Sequence, residues 1–238
     1  MNGITEPSRC NFNETGLGDF SELQQLTMRS SLRDFMARQY ARPSGWFGRW
    51  VIARLLNRSN QFANNLVFET LKVQANERVL EVGFGGGALL SRIVTTFPRN
   101  EVVGIELSEE MLASMRHQQS RAGYTNLTLS SGTVEALPLN DSSVDCVCTV
   151  NTVYFWPNLA AGLGELRRVL RPGGRLVIGI GSEAHMRRAG YEERGFSLYT
   201  PEAMATALEA AGFIAEEPSS VARGELGPFF ACTGIAKK

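Results

Sequence analysis

Residues 79–90 read VLEVGFGGGALL. An apolar run from Val79 to Val82 meets Gly83-Phe84-Gly85-Gly86-Gly87, and a helix-like stretch from Ala88 to Val94 follows. A strand that breaks into glycines and then a helix brings backbone close to a ligand, because no Cβ stands in the way. In open α/β sheets such turns lie beyond the carboxyl ends of the strands, where ligands bind.

The pattern on either side agrees with that placement. RVLEVG, EVVGIEL, LTLSSG, VDCVCTVN and RLVIGIG read as strands, and ALLSRIVTTF reads as a helix. Ser108 caps the next helix, with Glu109 and Glu110 in its first turn, where the helix dipole favours carboxylates. Leu159, Leu163, Leu166 and Leu170 line one face of a later helix, which RPGG (171–174) stops. Thr200-Pro201 opens a further helix and Gly212 closes it. FIAEEP and FFACTGIAKK are two final strands joined by a loop alone, which predicts an antiparallel pair. Strand–helix alternation predicts a parallel sheet with right-handed crossovers.

Upstream the period is helical. Residues 1–20 are polar with scattered glycine and read as a flexible leader. From Ser21 onward Leu32, Phe35, Met36 and Tyr40 recur at helical spacing, and Pro43 and Gly45 interrupt them. Trp50 to Leu56 reads as helix, as does Gln61 to Val73 with Phe62, Leu66 and Leu71 inward.

The 238 residues suffice for one α/β domain with a small extension. Hydrophobic residues make up 43% and charged residues 20%, the balance of a soluble globular protein. A net charge of zero argues against a general nucleic-acid binder. No apolar run approaches the ~20 residues of a membrane span, and the N-terminus lacks a charged-then-apolar leader. Cys146 and Cys148 share a strand face without a second pair or a histidine at ligand spacing, so they read as core thiols and not a metal site. Reduced cysteines fit a cytoplasmic protein.

Two cofactor classes use a turn of this kind. Gly83-x-Gly85-x-x-Ala88 fits the dinucleotide fingerprint, and Glu81-x-Gly83-x-Gly85-x-Gly87 fits a second pattern with an acid before the first glycine. A carboxylate repels a pyrophosphate and attracts an amino group. S-adenosylmethionine carries an ammonium and a sulfonium but no phosphate, so Glu81 tips the choice toward it. Glu106 ends the second strand, about twenty residues beyond the turn, where a carboxylate can accept both ribose hydroxyls.

With LEVGFGGG, GIELSEEML, TVEALPLNDSSVDCV and LRRVLRPGG in order, about residues 75–180 resemble class I S-adenosylmethionine-dependent methyltransferases, in the small-molecule branch near the ubiquinone and menaquinone C-methyltransferases. That resemblance implies a Rossmann-like, seven-stranded, mostly parallel sheet with an antiparallel last strand. It implies a methyltransferase domain over 76–238 and an N-terminal helical lid over 21–75. It implies S-adenosylmethionine as cofactor, held by Glu81, Gly83, Gly85, Gly87, Glu106 and Asn151, with adenine against Thr133 and Val134. Many relatives carry aspartate where this chain has Thr133, whose hydroxyl accepts more weakly.

The remaining candidates concern a small-molecule acceptor. The carboxyl end of the fourth strand reads Asn151-Thr152-Val153-Tyr154-Phe155-Trp156-Pro157, without the Asn-Pro-Pro-Tyr sequence of amine methylation. Tyr154 and Trp156 are candidate walls for the acceptor, and His185 or Tyr40 is the candidate catalytic base. Arg38, Arg42, Trp46 and Trp50 mix forked cations with aromatic faces, a set suited to an anionic, partly apolar substrate. Aromatic surroundings would also stabilise a carbocation left by methylation of an alkene, as in an isoprenoid diphosphate. Oxygen or nitrogen methylation of a quinone, phenol, amine or lipid headgroup is the alternative.

Overall fold

The computed structural model describes residues 60–237. The expected leader, most of the expected lid, and Arg38, Tyr40, Arg42, Trp46 and Trp50 lie outside the described residues.

Strands β1 (Arg78–Val82), β2 (Glu101–Glu106), β3 (Leu127–Ser131), β4 (Val144–Val150), β5 (Leu170–Gly181), β6 (Phe213–Ala215), β7 (Ser219–Val221) and β8 (Phe229–Ala236) form one sheet. Its order is β3-β2-β1-β4-β5-β8-β6, with β7 also paired to β8. The first five strands are parallel, and β8 runs against β5, β6 and β7. The sheet therefore has eight strands where seven were expected. The extra one, β7, is the three residues Ser219–Val221, too short and too polar to give an alternation signal.

Helices α1 (Gln61–Leu71), α2 (Ala88–Thr96), α3 (Glu109–Ala122), α4 (Leu159–Val169), α5 (Glu183–Arg188) and α6 (Pro201–Ala210) accompany the sheet. Leu163 and Leu166 of α4 and Met204 and Leu208 of α6 pack on one face, against Leu80, Val147 and Ile178. Val67 and Leu71 of α1, Leu89 and Ile93 of α2, and Leu112 and Met115 of α3 pack on the other. Each buried aliphatic side chain contributes about 1.5–3 kcal/mol. Covered on both faces, β1 and β4 are buried along most of their length, which is why they read as largely apolar runs. Glu81 is the exception in β1.

Several local expectations are met. Ser108 accepts from the Met111 N–H at 3.4 Å and Thr200 from the Ala203 N–H at 3.2 Å, each capping its helix. Others need correction. The helix near residue 61 buries Ala63, Val67 and Leu71, while Phe62 is 59% exposed. The small and β-branched stripe wins because α1 sits tightly on β5: a Cβ on Gly179 would meet Val67 Cγ2 at 2.8 Å. RPGG ends α4, but it is absorbed into β5, with a register shift opposite Val144 and Cys146.

At the amino end of the sheet, Arg175 forks Glu77 at 2.8 and 2.6 Å and donates to the carbonyls of Leu71 and Lys72. This ties the open carbonyls at the end of α1 to the sheet. Cys146, Cys148 and Cys232 are buried free thiols, and burial pushes Cys146 and Cys232 up to about 12, so they are inert.

Candidate active site

The strand order reverses between β1 and β4, and a cleft of about 1060 Å³ opens at their carboxyl ends. It gathers Glu81, Gly83, Gly85, Glu106, Thr133, Val134, Asn151, Tyr154, Trp156 and His185, residues spread over more than a hundred positions of sequence.

The glycine turn forms the floor. Gly83 has φ +70 and donates to the Ile105 carbonyl at 2.7 Å. A Cβ there would lie 2.5 Å from the Thr152 methyl, so glycine is required both by the backbone and by its neighbour. Gly85, at φ +50, has nothing among the described residues within 4 Å of its Cβ position and lines the cleft. Gly87 was expected to hold cofactor, but it does not line the cleft. It packs behind the turn, where a Cβ would meet Met115 Sδ at 2.5 Å.

Two carboxylates flank this floor. Glu106 accepts from the Gly85 N–H through Oε2 and from the Ser108 N–H through Oε1, both at 2.9 Å. It is thereby fixed in place with lone pairs left over for hydroxyl donors. Glu81 is 3% exposed, and its Oε2 has no hydrogen-bond partner among the described residues. Burial, with a smaller contribution from the Glu106 charge, pushes Glu81 up to about 8. A buried acid without a partner costs free energy until a donor or a cation arrives.

Thr133 is exposed and Val134 buried at the neighbouring edge. Their loop is tied to α4: Glu135 Oε1 accepts from the Asn158 N–H at 2.9 Å, and Glu165 Oε1 from the Leu137 N–H at 2.8 Å. Leu107, 67% exposed beside Glu106, presents an apolar side chain to the same end of the cleft.

A chain of hydroxyls anchors the loop after β4. Trp156 Nε1 donates to Thr152 Oγ1 at 3.2 Å, Thr152 pairs with Thr149, and Thr149 donates to the Val82 carbonyl at 2.8 Å. Trp156 is consequently a buttress: it is buried, and its ring covers Gly162 of α4. Tyr154 is buried too, accepting from the Gly181 N–H at 2.6 Å and donating to Asn151 Oδ1 at 3.3 Å. Burial raises its phenol, which excludes it as a base near neutrality. Asn151 adopts φ +57 and donates through Nδ2 to Asn60 Oδ1 at 3.0 Å.

The open wall is formed by Phe155, Tyr191 and Phe196 in edge-on contact, with ring centroids 4.6 and 5.1 Å apart. His185 on α5 joins them, half-buried, whereas His117 is exposed on α3. Asn60, Asn64, Phe196 and Leu226 also line the cleft and carry no motif in the sequence.

Residues 80–178 match the model of the methyltransferase domain family. The malonyl-[acyl-carrier protein] O-methyltransferase of Methylococcus capsulatus is 36% identical over 124 residues, covering 52% of this chain and 44% of its own. A SAM-dependent methyltransferase from Aquifex aeolicus superposes with a TM-score of 0.66 at 21% identity, over 77% of this chain and 96% of its own. A geranyl diphosphate methyltransferase in complex with GPP and sinefungin superposes with a TM-score of 0.62 at 13% identity, over 76% and 78%. The chain spans 33% to 44% of the length of the first curated relatives it matches. Residues 80–178 thus match a methyltransferase domain, and the chain shares its fold with the superposed S-adenosylmethionine-dependent methyltransferase. Among the described residues, no helix is long and apolar enough to cross a membrane.

Proposed function

We propose that this chain transfers the methyl group of S-adenosylmethionine to a small, partly apolar acceptor. The observation that carries the reading is the buried Glu81 carboxyl, whose Oε2 has no hydrogen-bond partner among the described residues, at the foot of a glycine turn whose open side faces the cleft. It suits the amino group of the cofactor. Glu106 would take the ribose hydroxyls, Gly83 and Gly85 the close backbone approach, and Thr133, Val134 and Leu107 the adenine. Asn151 would border the reacting end. When bound, the cofactor supplies a methyl group already activated on a sulfonium.

The protein's own task is alignment and exclusion of water. Phe155, Tyr191 and Phe196 give the acceptor an apolar wall, and the hydroxyl chain through Thr152 holds that wall against the glycine turn. We favour an isoprenoid diphosphate as the acceptor: its alkene would be methylated on carbon, and aromatic faces would stabilise the resulting carbocation. Arg38 and Arg42, with Trp46 and Trp50, would hold the anionic head, and residues 21–60 would close over it. The second reading, methylation of an oxygen or nitrogen with His185 or Tyr40 as base, draws support from the likeness to the malonyl O-methyltransferase.

The test is transfer of isotopically labelled methyl to a panel of prenyl diphosphates, malonyl thioesters, quinones, phenols and amines. Label on a prenyl carbon supports the first reading, and label on oxygen or nitrogen the second. Tight cofactor binding with no transfer to any acceptor class would point to a binding protein instead of an enzyme.

A further inference from the structure

The loop that follows β3 has almost no secondary structure of its own, yet α4 grips it at successive points. At the amino end of α4, the Asn158 N–H donates to Glu135 while the Asn158 side chain caps the helix through the Ala161 N–H at 3.1 Å. One turn before its carboxyl end, Glu165 and Arg168 act as a unit. Arg168 donates to both oxygens of Glu165 at 2.7 Å, to the Leu139 carbonyl at 2.8 Å, to the Leu137 carbonyl at 3.2 Å and to Asp141 Oδ1 at 2.6 Å. Glu165 returns to the Leu137 N–H at 2.8 Å. Both polar groups of Leu137, two residues beyond Glu135, are therefore held by side chains of α4. A planar fork bound at several points fixes position and angle, which a point charge does not.

We propose that Glu165 and Arg168 are positioning residues that set the seat of the adenine base, and through it the base selectivity of the cleft, without touching the cofactor. This rests on the reading that Thr133 and Val134 receive adenine. Those two residues lie between Ser131, where β3 ends, and the Leu137 clamp, so the span that meets the base is fixed at both of its ends. A site built around a hydrogen bond to a ligand group rejects an analogue lacking that group, but only while its partner is held in register.

The full chain is titrated with S-adenosylhomocysteine and with its hypoxanthine analogue, in which a 6-oxo group replaces the 6-amino group. Thermal unfolding is recorded alongside. The unmodified chain is expected to favour the adenine form by about tenfold or more. Arg168→Lys keeps the charge and loses the fork; it should shrink that preference several-fold. Arg175→Lys is the control. It breaks an equally well-paired fork at the end of α1, on the opposite face of the sheet from α4, and should lower the melting temperature while leaving the preference unchanged. If Arg168→Lys does not fold, Glu165→Gln, which retains an acceptor for Leu137, gives the same reading at smaller amplitude. An Arg168→Lys chain with lowered melting temperature and an intact preference overturns the clamp alone. An unmodified chain that binds neither form overturns the cofactor reading and the clamp with it.

Discussion

Glu81 lies on β1, and Glu106 closes β2 one strand away. Both reach the same cleft, yet the fold treats them in opposite ways. Glu106 is supplied with two backbone N–H donors and held rigid. Glu81 is buried, has an oxygen without a partner among the described residues, and keeps its proton up to about pH 8. One carboxylate is held by the backbone and, on the proposed reading, would orient hydroxyls; the other would be completed by the ligand. Burial plus satisfaction marks scaffold, whereas burial without satisfaction marks the place where binding energy is released.

The strongest way to break this comparison is to close the floor between the two acids. Gly85→Val introduces a β-branched residue at φ +50 and fills open cleft space, so it should abolish S-adenosylhomocysteine binding while circular dichroism stays native. Next in size, Glu106→Ala removes two charged-acceptor bonds, each worth about 1.5–3 kcal/mol, and should weaken binding roughly 100-fold or more. Unchanged affinity would remove Glu106 from the ribose contact.

Glu81→Gln should have a smaller and two-sided effect. Affinity should fall about tenfold to a hundredfold, since a neutral amide replaces the partner of an ammonium. The stability of the free protein should move the other way. Because the folded chain holds the Glu81 proton to about pH 8 and the unfolded chain releases it near 4.5, stability falls as pH rises across that window and levels off above it. Glu81→Gln abolishes this loss, so its melting temperature should exceed that of the parent near pH 8 and match it near pH 4. The smallest effect on the cofactor side belongs to Arg42→Ala. It should raise the KM for the acceptor about tenfold and leave cofactor affinity unchanged. Weakened cofactor binding with normal KM would contradict the division of labour along the chain.

Much of this organisation was legible in the sequence because it is local. A strand, a glycine run and a helix cap leave their marks within a dozen residues, and Glu81 stands out in an apolar run because a parallel strand buried on both faces tolerates charge only for a reason. What was not legible depends on partners distant in the chain. Trp156 reads as a substrate wall until Thr152 and Gly162 claim its indole. Gly87 reads as cofactor backbone until Met115 is placed behind it. Tyr154 keeps its ring at the cleft but commits its hydroxyl to Gly181 and Asn151. Phe196, Asn60 and Leu226 reach the cleft only through the tertiary fold, and no pattern around them announces it. The face of α1 was misread because size and hydrophobicity favour Phe62, whereas close approach to Gly179 favours Ala63 and Val67.

The central claim is that Glu81 awaits a cation, and a calorimetric titration tests it most directly. The full chain is titrated at pH 7 with S-adenosylhomocysteine and, separately, with NADH, in two buffers of different ionisation enthalpy. The account predicts that S-adenosylhomocysteine binds and NADH does not. It also predicts that binding expels nearly one proton from the parent chain and none from Glu81→Gln. Binding of NADH, or an identical proton count for the parent and Glu81→Gln, would contradict it.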